Sequence, residues 1–179
     1  VYGGLAIYNI LKRHKGKKIV TVDGIAASIA SIIALAGDEI IISKSAQFMI
    51  HKPWIQCSGN ASELRASADV LDKCQKSITA IYMENVLEGI SEETITQLIN
   101  KETWMTGEEA SKYFNIKVND DKEIFACESD YFEKYNNTPS TIMNQKKNNE
   151  KILSDDHIEQ ITDKVLKCID NKKKDEEKI

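Results

Sequence analysis

From Lys17 to His51 the sequence alternates short β-branched runs with one stretch of small residues: KKIVTVDG, GIAASIASIIALAG, EIIIS and QFMIH. Apolar runs without polar alternation are buried on both faces, and such strands belong to parallel sheets covered by helices. Parallel neighbours cannot be joined by a hairpin, so the chain must cross over between them. This stretch therefore restricts the fold to a mainly parallel α/β domain. KKIVTVDG reads as a buried strand. A helix is expected from about Ala26 to Ala36, closed by Gly37. EIIIS and QFMIH read as two strands joined by a polar turn at Lys44 and Ser45.

Helices flank this block. In VYGGLAIYNILKRHKG, Leu5, Tyr8 and Leu11 repeat at helical spacing, basic residues crowd the end, and Gly16 stops it. Further on, Asn60 with Glu63 three residues later is the pattern of a capping box. The helix it opens is expected over about 61 to 88, with Leu64, Ala68, Leu71, Ile78, Tyr82 and Val86 on one face and Gly89 at its end. That is about twice the usual helix length. A helix so long outreaches a small domain's core, so one end is expected to pack on something else. Ser91 caps a short helix carrying Ile95, Leu98 and Ile99, and Thr106 with Glu109 opens another that buries Ala110, Tyr113 and Phe114.

Composition divides the chain. Residues 1–119 hold 13 acidic and 13 basic side chains, whereas 120–179 hold 15 acidic side chains and 11 lysines, so the tail carries the whole net charge of -4. Neither part has the basic stripe of a nucleic-acid binder. No apolar run is long enough to cross a membrane and no leader pattern opens the chain, so a cytoplasmic protein is expected. Cys57, Cys74, Cys127 and Cys168 lack metal-site spacing and fit a reducing compartment. Val1 leads straight into a helical pattern, so the chain reads as a fragment lacking an upstream strand. Only 18 of the last 60 residues are apolar, and KYNNTPSTIMNQKKNNEK reads as a disordered linker. An amphipathic helix is expected over about 154–170, with Ile158, Ile161, Val165, Cys168 and Ile169 on its apolar stripe.

Ser28 is the residue with chemical potential in the central block. Gly24 permits a tight turn after the strand, and Ala26 and Ala27 leave room around the next side chain. Placed in a helix's first turn, Ser28 would lie among free N–H groups, and the N–H of Ile29 would face a carbonyl oxygen becoming an oxyanion. The competing reading is a small residue that lets the helix pack tightly on the sheet. Ser31, one turn deeper, is expected to tolerate alanine. An acyl-transfer serine needs a base. His14 lies among cationic residues at a helix end and His157 lies in the tail, whereas His51 ends a buried strand and is followed by Lys52 and Pro53. Strand ends are where α/β sheets place their sites. His51 can equally be read as a satisfied core histidine.

The ordered motifs LAIYNIL, GIAASIASIIALAG, MIHKPW with GNASEL, and ETWMTGEEA resemble the proteolytic subunit of the Clp proteases over roughly residues 1 to 119. The tryptophan of MIHKPW and the ETWMT segment are most similar to the head-maturation proteases of tailed phages and prophages, a branch of that family. The resemblance implies a crotonase-like spiral of βαβ units with a long protruding handle helix, homo-oligomeric rings around a chamber, and a Ser-His-acid triad without metal or cofactor. By position it makes Ser28 the nucleophile and His51 the base. The acid two residues before the aromatic of the last motif is here Glu102, where the family usually carries Asp. Asp69 and Asp72, on the long helix, read as surface charges. The family's Gly-Gly-x turn, which supplies a first oxyanion N–H, would lie upstream of Val1, and its absence would leave Ile29 as the donor and this fragment inactive. WIQCSG, with Trp54, Ile55 and Cys57, is a candidate for lining an extended peptide by strand addition.

The implied activity is a serine endopeptidase acting on protein or peptide substrates, with capsid or scaffold proteins as substrates in the phage reading. A general Clp subunit would need a separate unfoldase, since no G-x-x-x-x-G-K-[ST] motif is present in this chain. The same residues also admit a catalytically inactive ring subunit or an acyl-CoA crotonase. The crotonase reaction wants carboxylates at the oxyanion site rather than a serine with a histidine.

Overall fold

The computed structural model describes residues 1–120, 130–140 and 142, with the side chains of 130 and 131 left aside. The chain divides into two compact units, Val1–Asn137 and Thr138–Ile179. The first unit thus includes a single-turn 3-10 segment, Asp130–Lys134, that falls in the tail by composition. The second is described at only four positions, where the Ile142 N–H donates to the Pro139 carbonyl at 3.0 Å. The amphipathic helix expected over about 154–170 lies outside the described residues.

The first unit opens with α1, Tyr2–Arg13, whose last turn carries Lys12 and Arg13 at the negative end of the helix dipole. Strands β1, Ile19–Val22, and β3, Glu39–Ser43, pair in parallel, with Ile19 opposite Glu39 and Val22 opposite Ile42. β6, Lys117–Asn119, joins the other edge of β3, also in parallel. The second sheet is built from β2, Ile25–Ala27, β4, Gln47–Ile50, and β5, Thr103–Thr106, in the order β2-β4-β5. β2 and β4 are parallel, and β4 and β5 antiparallel. Among the described residues three of the four strand pairings are therefore parallel, but they are shared between two small sheets. The turn at Lys44 and Ser45 carries the chain from one sheet to the other, so β3 and β4 do not pair.

The small-residue helix begins later than its spacing predicts. Ala26 and Ala27 pair with Phe48 and Met49 as part of β2, and α2 runs only from Ile29 to Ala34. Alanine favours a helix by less than about 1 kcal/mol, and a buried parallel ladder overrides that preference. The capping box at Asn60 forms as expected and opens α3, Ala61–Met83. This helix stops before Gly89, because the chain turns to make a bridge between Val86 and Phe114, and Gly89 itself takes φ +88. The expected stripe is only partly covered: Ile78 and Tyr82 are buried and Leu71 and Val86 half-buried, whereas Leu64 and Ala68 are exposed; Cys74 and Thr79, outside that stripe, are buried, and Val70 is exposed. α4, Glu92–Asn100, and α5, Gly107–Ala110, follow, each with its side-chain cap in place. The core lies between the sheets and helices, with Phe48, Ile42, Leu35, Ile95 and Phe114 wholly buried. The ring of Phe114 packs against both Phe48 and Tyr82, at 5.5 and 5.8 Å between centroids. Among the described residues no helix is long and apolar enough to cross a membrane.

Candidate active site

Ser28 occupies the single residue between β2 and α2, with φ 57 and ψ -123. It is the helix's N-cap rather than a member of its first turn, which follows from the extension of β2 through Ala27. A left-handed φ costs a residue with a Cβ about 1–3 kcal/mol and persists only where the surroundings impose it. Here they do so from both sides. The Ser28 N–H continues the β2–β4 ladder by donating to the Met49 carbonyl at 3.0 Å. The Ser28 carbonyl accepts from the Ser31 N–H at 3.0 Å and from the Ser31 hydroxyl at 2.6 Å. Ser31 is fully buried, and its Oγ also bonds the Tyr82 hydroxyl at 2.7 Å. Burial pushes the Tyr82 hydroxyl well above its ordinary range, so it stays protonated. Gly4 matters for the same turn: a Cβ there would run into the Ile29 side chain, so glycine lets α1 lie against the start of α2. Ile29 opens α2, so its N–H has no helical carbonyl one turn back and remains available to a ligand.

His51 follows the last residue of β4, which is paired on one side with β2 and on the other with β5. The two ladders fix its backbone, and the ring is buried. Its Nε2 lies 2.7 Å from Ser28 Oγ. Burial lowers the imidazole's pKa from its ordinary value, and the charge of Glu102 acts in the opposite direction. The ring is therefore neutral near pH 7 and can accept the serine proton at Nε2.

Glu102 lies between α4 and β5 with φ 50, a second left-handed residue. Its side chain is buried and lines, with His51, Trp54 and Asn136, a cavity of about 280 Å³. Each carboxylate oxygen accepts one hydrogen bond: Oε1 from the Asn137 N–H at 2.7 Å and Oε2 from Asn136 Nδ2 at 3.2 Å. Among the described residues no hydrogen bond joins Glu102 to His51; the acid acts on the ring through its charge. Asp69 and Asp72 are exposed on α3, as expected of surface charges.

Three further residues at the site were not singled out by the sequence: Tyr135, Asn136 and Asn137. The Tyr135 ring stands edge-on to His51 at 5.2 Å and to Trp104 at 5.9 Å, and Phe132 packs on Trp104 at 6.3 Å. The available signal was a cluster of three aromatic residues, Tyr131, Phe132 and Tyr135, in a stretch otherwise dominated by polar residues. Trp54 and Ile55 are about half exposed and Cys57 is exposed, in a segment without regular structure between β4 and α3. Trp54 lines the cavity beside His51; Ile55 and Cys57 do not. Against Ser28 lies an apolar slot of about 20 Å³ walled by Ile29, Ile32, Ile78 and Tyr82 among others. It has room for roughly one water.

A serine hydroxyl bonded to a neutral imidazole at a helix N-terminus is equipped for acyl transfer. The family described as Clp protease matches residues 1–116. The chain is 32% identical over 117 residues to the ATP-dependent Clp protease proteolytic subunit 1 of Chlamydia abortus, covering 63% of this chain and 60% of that protein. It is 30% identical over 115 residues to the corresponding subunit of Bacteroides fragilis, covering 63% of this chain and 55% of that one. Against the proteolytic subunit 3 of Streptomyces coelicolor it is 30% identical over 116 residues, covering 63% and 52%. The chain thus spans a little over half the length of these relatives. With well over half of its residues inside one family match, this chain belongs to the Clp protease family.

Proposed function

We propose that this chain is a serine peptidase in which Ser28 is the nucleophile, His51 the general base and Glu102 the acid. What carries the reading is the 2.7 Å bond between Ser28 Oγ and His51 Nε2 at a serine held in a left-handed conformation. In this reading Ser28 Oγ attacks a peptide carbonyl while Nε2 takes its proton. The Ile29 N–H donates to the oxygen as it becomes an oxyanion, and the imidazolium then passes the proton to the leaving amine. Water, activated by the same ring, hydrolyses the acyl-serine. Glu102 supplies the negative charge that stabilises the imidazolium. Trp54, with Ile55 and Cys57, borders the path of an extended peptide.

The finer reading has three parts. The family membership and the names of the relatives support a Clp-type proteolytic subunit in homo-oligomeric rings, working with a separate unfoldase ATPase and built on the crotonase-like spiral with α3 as its handle. The resemblance of MIHKPW and ETWMT to phage enzymes supports a narrower role in processing capsid or scaffold proteins, inside a bacterial host cell. Degradation of unfolded casein with an added Clp ATPase would favour the general role; cleavage of a capsid precursor without one would favour the narrower. Labelling by a fluorophosphonate tests the common core. Ser28 should be modified in the wild-type chain and lose its label in Ser28→Ala and His51→Ala. Equal labelling of Ser28→Ala would end the assignment.

A further inference from the structure

We propose that residues 130–137 form a clamp that positions the acid and base of this site, so that the site is completed by a segment beyond the part of the chain that matches the family. The inference rests on the peptidase reading and deepens it. The family match ends at residue 116, whereas the groups that hold Glu102 lie at 136 and 137.

Four hydrogen bonds form the clamp. The Asn137 N–H and Asn136 Nδ2 each hold one oxygen of the Glu102 carboxylate. Asn137 Nδ2 holds the backbone on either side of it, donating to the Lys101 carbonyl at 2.7 Å and the Glu102 carbonyl at 3.3 Å. The second pair pins the left-handed φ of Glu102, a conformation that needs such support. The first pair sets where the carboxylate points. Each carboxylate oxygen has two acceptor sites, so both keep one open for an imidazole N–H. Tyr135, adjacent in sequence, places its ring edge against His51 and so limits where the imidazole can rotate. Phe132, buried against Trp104 of β5, anchors the segment to the domain. One short segment therefore touches the acid, the base and the strand that follows the acid.

The side chains of Asn136 and Asn137 are exposed, so replacing them leaves the core intact. The chain and its Asn136→Ala, Asn137→Ala and double variants are treated with a fluorophosphonate over a range of concentrations, and the limiting labelling rate at Ser28 is separated from the half-saturating concentration. The same substitutions are repeated in a Glu102→Gln background. A hydrogen bond to a charged group corresponds to roughly a tenfold or greater effect, so the double variant should label about tenfold more slowly at saturation, with half-saturation unchanged. Because the clamp acts through the acid, it should add almost nothing once Glu102 is Gln. Unchanged labelling in the Asn variants, or an equal further loss in the Glu102→Gln background, overturns the clamp while leaving the peptidase reading in place. A wild-type chain that does not label overturns both. If Asn137→Ala fails to fold, Asn136→Ala carries the test, because its only hydrogen bond among the described residues is to the carboxylate.

Discussion

His51 sits where burial and a neighbouring charge act on the same ring in opposite senses. Burial is the larger effect, so the ring takes up a proton only below its ordinary pKa of about 6.5. The neutral form, which the proposed mechanism requires, then persists to lower pH than it would on an exposed histidine. The acid limb of the pH profile for labelling or peptide cleavage should accordingly fall below pH 6.5. Glu102→Gln removes the charge that opposes the burial effect, so it should move this limb further down while slowing the reaction at every pH. A limb above pH 6.5 would mean that an exposed or differently paired histidine is the base. Ser28→Ala and His51→Ala should each reduce peptide cleavage by about a thousandfold or more, and the double variant should be scarcely worse, because the two residues act as one unit. Independent, multiplying losses measured in the double variant would separate them.

At the scale of elements, α2 and α3 hold the turn at Ser28 between them. Ser31, expected to tolerate alanine, proves to be the link: its hydroxyl bonds both the Ser28 carbonyl and Tyr82 of α3 inside the core. Ser31→Ala leaves the Tyr82 hydroxyl buried without that partner. An unsatisfied buried hydroxyl costs about 1–3 kcal/mol. Chemical denaturation should show that loss, and labelling of Ser28 should slow as its strained backbone relaxes. Stability equal to wild type would place the Ser31 hydroxyl outside the support of the turn. The two halves of α3 behave differently. Ile78 is buried and Ile81 packs partly against the core, so polar changes there test folding rather than association. Leu64 and Val70 are exposed on the half that the domain does not cover. Leu64→Asp with Val70→Asp should reduce the mass measured by light scattering, with the thermal midpoint unchanged in the monomer. Ile78→Asp should instead unfold the chain or lower its stability by several kcal/mol, as expected for a charge forced into a core. Unchanged mass in the Leu64/Val70 variant would leave that face to solvent.

At the scale of the whole molecule, the boundary between the compact units falls after Asn137. Composition places it near 119, and on that basis a chain ending at about Asp130 should fold and cut normally. In the structure such a chain loses Phe132, Tyr135, Asn136 and Asn137, every one of which touches the site or the strand beside it. Truncation after Asp130 should lower the thermal midpoint and slow labelling. Truncation after Asn137 should preserve both, since the described groups that hold Glu102 and His51 all lie within Val1–Asn137. Equal behaviour of the two truncations would return 130–137 to the tail.

What the sequence by itself determined was whatever depends on neighbours along the chain. Capping boxes join residues three apart, so Asn60 with Glu63 and Thr106 with Glu109 were legible and formed as expected. Buried parallel strands show as continuous apolar runs, so β3 and β4 were legible; β1 was legible as a strand but not in its burial, since Ile19 and Thr21 are exposed and only Val22 is buried. Ser28 and His51 stood out because a glycine turn and a strand end are local signatures, and the structure brings those two together at bonding distance. The division into two sheets, the extension of β2 through Ala27 and the early end of α3 were decided by pairing between residues far apart, where a buried ladder outweighs local propensity. β5 and β6 were hidden for the same reason: each has only a few residues, and its pairing partner rather than its composition makes it a strand. The clamp was least legible of all. Tyr135, Asn136 and Asn137 are polar or isolated in sequence, and they acquire meaning only because folding sets Glu102, thirty-five positions from Asn137, within reach of a single N–H group.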